Sequence, residues 1–334
     1  MRVAELSLGT MTFGQEEWGT QDRAVGQAMF DAYVEAGGNF IDTADRYAVG
    51  ESERWVGDLV RSDRERFVVA TKYGLNRLGH PTSGHPNAGG TSRKNMAHAV
   101  EGSLRRLGLD HIDLYWMHAW DPMTSTVEVM RGLDDLVRSG KVLYLGVSDT
   151  PAWWVSRANA IAEERGWTPF VAYQGRHSLV DREAEREIFP MTAALDMTFA
   201  SWGVLGSGLL SGKYRDASAV GRVSQQGRLD TRERTLALID TIRAVADELG
   251  ASLSQVALRW SMDQPGVIPI IGVRTLEQTK DNLGALDLTL SKEQTARLES
   301  ASRISRAFPY DMLSRLDFVF GEAADVDPPR QLRR

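Results

Sequence analysis

The sequence predicts an α/β fold, a (β/α)8 TIM barrel formed as a single domain. Three observations predict it. Eight short apolar, β-branched runs recur along the chain, and stretches of helical periodicity lie between most of them. Strands joined by crossovers of that length pair in parallel, and eight favour a closed barrel over an open doubly wound sheet. The length of 334 residues suits one such barrel.

In chain order, the strand candidates are Glu5 to Thr10, Asn39 to Ala44, Phe67 to Lys72, Asp113 to His118, Val142 to Ser148, Phe170 to Gln174, Thr198 to Gly203 and Val267 to Gly272. Helical periodicity covers Asp22 to Ala36, Glu51 to Arg61, Arg93 to Leu107, Val127 to Ser139 and Ala152 to Arg165. Punctuation supports this register. Thr150-Pro151 reads as an N-cap followed by a proline in the first helical position, and Ser252 with Gln255, like Ser291 with Gln294, fits a capping box. Two connections are overlong: Tyr73 to Thr91, rich in glycine and proline, and Ser207 to Asp230, polar and glycine-spaced. Both follow strand ends on one face and are expected to wall one pocket. The domain is expected to span residues 1–334, with a polar tail from about residue 302 that wraps the barrel and frays at Pro328 to Arg334.

Composition narrows the function. Hydrophobic content of 42% and charged content of 25% match folded soluble proteins. A net charge of -6, from 39 basic and 45 acidic residues, offers no cationic face for a phosphate backbone, so nucleic acid is not an expected partner. The absence of cysteine excludes disulfides, thiolate nucleophiles and cysteine-ligated metals, and no metal site is expected. The start MRVAELSLGTMTFG has no long apolar run before a cleavage site, and no stretch reaches the ~20 apolar residues of a membrane helix. The expectation is a cytoplasmic protein with no membrane partner.

In such a barrel the active site is built at the C-terminal ends of the strands. Strand two leads into Asp42 and, five residues on, Tyr47; strand three ends in Lys72 and strand four in His118. Each alone has a plainer role: Asp42 capping local amides, Tyr47 packed in a loop, Lys72 solvated, His118 half-buried and satisfied. Their placement at three consecutive strand ends favours a site. A lysine cation beside a phenol favours phenolate and eases loss of the proton, and a carboxylate keeps a buried ammonium charged. An imidazole next to them can orient a substrate oxygen. Hydride arriving at a carbonyl carbon leaves charge on oxygen that such donors stabilise.

The strings FIDTADRYAVGESE, VVATKYG, DLYWMHAWDP, GVSDTPAWW, LGSGLLSGKY and IPIIGVRTLEQTKDNLGAL, spread over nearly the whole chain, resemble the aldo-keto reductase superfamily. They most resemble its bacterial branch that includes relatives of the potassium-channel β subunits. The resemblance implies NADPH-dependent reduction of a small aldehyde, ketone or ketosugar, with Asp42, Tyr47, Lys72 and His118 as the catalytic four and Tyr47 as general acid. No GxGxxG follows the first strand, so the usual dinucleotide fingerprint is absent. By resemblance, Gly203, Leu205 and Gly208 lie along the pyrophosphate, although a glycine-rich run alone is merely a turn. Trp202 falls where the family stacks a ring on the nicotinamide, and it is also one of nine tryptophans, any of which can be core. Ser148 and Gln174 match the holders of the carboxamide, and Asp149 stands where many members have asparagine.

The helix after the last strand candidate opens at Gly272, a ready anion site, and Arg274, Gln278 and Asn282 match the surroundings of the adenosine 2′-phosphate, which implies NADPH rather than NADH. Thr275 and Gln278 also fit a capping box, and Arg274 reads equally as a surface cation. Two departures from the family are Arg176 and His177, where glutamate and tyrosine are common and where pocket polarity is expected to differ, and the missing hairpin under the barrel floor. Trp18, Tyr73, His80, His85, Trp120 and Arg176 are further candidates for the pocket lining. The alternative is a cofactor-binding regulatory or redox-sensing subunit with little turnover. A lyase or aldolase using Lys72 as a Schiff base leaves Trp202, Arg274 and the glycine loop unexplained.

Overall fold

Short runs that are apolar on both sides of the backbone make the strands: β1 (Ser7–Gly9), β2 (Phe40–Asp42), β3 (Val68–Tyr73), β4 (Ile112–Met117), β5 (Val142–Ser148), β6 (Phe170–Arg176), β7 (Thr198–Trp202) and β8 (Val267–Gly272). The structure is a computed structural model describing residues 1–17, 19–76, 84–211, 233–305, 308–313 and 320–321. Trp18, His80 and residues 212–232 of the second long connection lie outside the described residues. All strands are parallel and close in chain order, with β8 returning to β1. The register sets Gly9 level with Asp42 and Gly272, and Ser148 level with Gln174, which brings the candidate residues to one rim.

Around the strands run α1 (Arg23–Glu35), α2 (Glu51–Val60), α3 (Arg93–Leu107), α4 (Thr126–Arg138), α5 (Ala152–Arg165), α6 (Ala184–Ala194), α7 (Glu233–Leu249), α8 (Leu253–Met262), α9 (Leu276–Leu283), α10 (Lys292–Ser302) and the short α11 (Tyr310–Leu313). Both expected capping boxes form at α8 and α10. The α5 cap differs from expectation, because Pro151 itself is the N-cap. Tyr173 holds Thr150 out of the helix: its hydroxyl accepts from the Thr150 N–H at 3.0 Å and donates to the Thr150 carbonyl at 2.7 Å. The Thr150 hydroxyl donates to the Ser148 carbonyl instead of capping.

No strand precedes β1 among the described residues, and the start of the chain is tied down by Asn39, which accepts from the Ala4 N–H and donates to the Arg2 carbonyl. No helix among the described residues is long and apolar enough to cross a membrane.

At the far end of the chain, α10 is fastened to the barrel by a buried polar network. The Arg182 guanidinium donates to Glu185, to Ser302 Oγ at 2.7 Å and to Glu299, and lies over the Trp260 ring. Trp260 Nε1 donates to Glu299 at 2.9 Å. The described tail runs along α6, where Arg186 donates to the Ser305 carbonyl and Tyr310 to Glu187.

Inside the barrel, Phe40, Val68, Ala70, Leu114, Trp116 and Ile270 form the packed interior. The fully buried Trp116 ring passes so close to Gly146 that a Cβ there would lie 2.2 Å from Trp116 Cε3. Gly146→Ala should therefore overpack the barrel, costing about 1–3 kcal/mol and lowering the thermal midpoint. Circular dichroism on heating checks this, and an unchanged midpoint would mean that the ring yields freely.

Candidate active site

The rim is organised around one buried ion pair. Lys72 on β3 is fully buried, and its ammonium donates to Asp42 Oδ2 and, at 2.8 Å, to the Thr43 carbonyl. The other Asp42 oxygen accepts from Gln174 Nε2 at 2.9 Å, so the carboxylate is satisfied from both sides. Burial works against the charge on Lys72, but Asp42 and Tyr47 outweigh it and hold the ammonium above its ordinary pKa.

Tyr47 sits on the turn after β2, half-buried, its ring centroid 4.7 Å from Lys72 Nζ. Burial pushes its phenol above the ordinary range, and Lys72 only partly offsets this. The expected easing of the proton by Lys72 is thus real in direction but smaller than the desolvation that opposes it. His118 packs edge-on against Tyr47, with centroids 6.0 Å apart. Burial, then Lys72 and Arg46, hold its imidazole well below the ordinary value, which keeps it neutral at pH 7. His118 Nδ1 is buried and has no hydrogen-bond partner among the described residues.

A cavity of about 910 Å³ runs from these residues to the start of α9, a volume suited to an extended ligand. Asp42, Tyr47 and His118 line one end, and Gly272, Arg274, Gln278 and Asn282 the other. Between them lie Ser148, Asp149, Gln174, Trp202, Gly203, Leu205 and Gly208. Lys72 stands behind Asp42 rather than on the surface. Gly203 and Gly208 have φ of 71° and 95°, left-handed conformations that glycine adopts freely. A Cβ on Gly272 would meet nothing within 4 Å, so this glycine faces open cavity.

Several expectations are corrected. Tyr73, His85, Trp120 and Arg176 do not line this cavity. Tyr73 alternates with Lys72 along β3, so its ring points the other way and stacks on Tyr115 at 5.1 Å. The His85 ring accepts from the Asn87 N–H as a cap. Arg176 lies over Trp202 at 5.9 Å and pairs with Asp181. His177 is fully buried in the wall, hydrogen-bonded to Glu185 at 2.9 Å and stacked on Trp260, so it does not face the cavity either. Gln278 does not complete a capping box. Its side-chain oxygen accepts from the Arg274 N–H at 3.0 Å, one residue earlier than the N-cap Thr275.

Sequence reasoning missed Met11, Thr12 and Gln15 after β1, which line the cavity like the other strand-end loops, and Ser254, Leu258 and Asp281 on helices. The β1 loop was discoverable from its strand-end position, whereas nothing in a helical pattern marks Ser254 or Leu258.

The sequence profile of the Aldo/keto reductase family matches residues 5–303. The chain belongs to the aldo/keto reductase family. Curated relatives include norsolorinic acid reductase of Aspergillus flavus, 41% identical over 322 residues covering 94% of this chain and 81% of that one. Norsolorinic acid reductase B of Aspergillus parasiticus is 38% identical over 330 residues, covering 96% and 86%. Aryl-alcohol dehydrogenase [NADP(+)] of Phanerodontia chrysosporium is 38% identical over 355 residues, covering 98% and 88%. This aldo/keto reductase is an oxidoreductase of carbonyl compounds.

The pKa directions set an expected pH profile for this aldo/keto reductase. A lowered imidazole stays neutral as pH falls through its ordinary range, and a raised phenol stays protonated as pH climbs. Rates of carbonyl reduction should show no inflection near about 6.5 and no decline before about 10. A kcat/KM profile checks this; an alkaline limb below that range would assign the proton to another donor.

Proposed function

We propose that the protein reduces aryl aldehydes or ketones to alcohols with NADPH, Tyr47 giving the proton. The observation that carries this reading is the Tyr47 phenol at the cavity wall with the Lys72–Asp42 pair behind it and neutral His118 beside it. Bound NADPH supplies the hydride. As the carbonyl oxygen gains charge, Tyr47 transfers its O–H proton to it, and the resulting phenolate is stabilised by the Lys72 ammonium until solvent returns a proton. His118 orients the oxygen by donating a hydrogen bond from its neutral ring.

The cavity fits a dinucleotide. Gly203 and Gly272 let a backbone-hugging ligand approach, and Ser148, Gln174 and Asp149 offer polar groups beside Trp202, whose Nε1 donates to Asp149 at 3.1 Å. Arg274 has no acidic partner among the described residues and lines the far end, where a 2′-phosphate would be held. The aryl preference is drawn from the relative named as an aryl-alcohol dehydrogenase. The finer resemblance to bacterial relatives of channel β subunits brings the regulatory alternative, but the relatives reported above are fungal and all named as enzymes, which favours turnover.

Loss of NADPH absorbance with para-nitrobenzaldehyde tests the reading. Tyr47→Phe should cut kcat by about 100-fold or more while leaving NADPH affinity unchanged; an active variant overturns the proton donor. Arg274→Ala should weaken NADPH by about tenfold or more relative to NADH, measured by fluorescence titration, and equal losses would remove the 2′-phosphate contact.

A further inference from the structure

Immediately after Tyr47 the backbone runs through three consecutive left-handed residues: Ala48 (φ 47°, ψ 41°), Val49 (φ 56°, ψ 34°) and Gly50 (φ 86°, ψ 1°). Glycine adopts this region freely, alanine does so at a cost, and a β-branched valine is a true outlier there. Nothing about Val49 itself explains the conformation, since its side chain is 48% exposed. Such strain persists only where the surroundings impose it.

An ion pair lies under the turn. The stem of Arg106, in the last turn of α3, passes beneath Gly50 so closely that a Cβ there would lie 2.5 Å from Arg106 Cδ. Arg106 Nε donates to Glu53 Oε2 at 2.6 Å, and Glu53 is fully buried at the start of α2. The other Glu53 oxygen accepts from Thr71 Oγ1 at 2.6 Å. Thr71 directly precedes Lys72 on β3, so the turn that presents the phenol and the strand that presents its ammonium are joined through Glu53 as well as through the site itself.

We infer that Glu53 and Arg106 are positioning residues for Tyr47, holding the left-handed turn in a conformation it would otherwise leave and so fixing the phenol against Lys72. The inference rests on Tyr47 being the proton donor. It gives the strain a function: a relaxed turn would carry the phenol away from the cavity wall, and small misplacements of a reacting group are costly in rate.

The test compares Glu53→Gln, Arg106→Ala, Arg106→Lys, Val49→Ala and Val49→Gly in the full chain, reading kcat and KM with para-nitrobenzaldehyde, NADPH affinity by fluorescence, and the thermal midpoint. Glu53→Gln and Arg106→Ala should lower kcat by about tenfold to a hundredfold with NADPH affinity kept within about twofold. Arg106→Lys should recover most of the rate, because its stem still fills the space under Gly50 and its charge still meets Glu53. Val49→Gly should be at least as stable as Val49→Ala, since glycine relieves the strain, yet slower, since the turn is then free to move. A merely structural pair predicts the reverse, with rate following stability in every variant. Normal kcat in both Glu53→Gln and Arg106→Ala, or a Val49→Gly as fast as Val49→Ala, overturns the inference. Those results with an inactive Tyr47→Phe would leave the proton donor standing, whereas an active Tyr47→Phe would remove the functional reading first.

Discussion

A fully buried ammonium needs its counter-charge, and that requirement shapes the rim of this barrel. Lys72 has no access to water, so Asp42 must lie against it, and Asp42 in turn needs a second donor, which Gln174 supplies from across the barrel. Three strands, β2, β3 and β6, are thereby locked to one arrangement of charge. Tyr47 and His118 are placed relative to that pair, and their opposite pKa directions follow: the same burial that keeps the phenol protonated keeps the imidazole neutral, and Lys72 adds to the second effect while opposing the first. Two proton-bearing groups of unlike character are thus both neutral near pH 7.

The two ends of the cavity differ in character. At one end Asp42 is already satisfied within the protein by Lys72 and Gln174, beside the buried His118 Nδ1. The far end carries Arg274 and exposed backbone near Gly272, where a charged ligand would supply the missing partner. Gln278 meanwhile occupies itself with the Arg274 N–H, which keeps the entrance to α9 ordered.

Much of this was legible in the chain because strand ends are legible. Asp42, Lys72 and His118 each close an apolar run, and in a parallel barrel that position alone puts them on the active face. The residues that line the rest of the cavity were reached through motif resemblance and not through pattern, since glycines such as Gly203 and Gly208 look like any turn. Side-chain direction was harder. Strand alternation sends Tyr73 outward when Lys72 points in. The resemblance implies a different pocket polarity at Arg176 and His177, but β6 continues through Arg176, and His177 turns into the wall to meet Glu185. The left-handed conformation at Val49 had no sequence signal, since valine disfavours it and the Arg106 stem beneath the next residue comes from more than fifty residues away.

The Arg182 network has a consequence for how the chain comes to be folded. Arg182 follows β6 near the middle of the sequence, yet three of its partners or neighbours, Trp260, Glu299 and Ser302, are made much later. A chain emerging from the ribosome presents the arginine together with Glu185, three residues on, but long before Glu299 and Ser302, which complete its hydrogen bonds. Until α10 arrives, that guanidinium can enter the interior only with part of its partner set missing, so the β6–α6 corner is favoured to stay open. Helix α10 therefore acts as a clasp on the β6–α6 corner, fastened there from more than a hundred residues further along the chain.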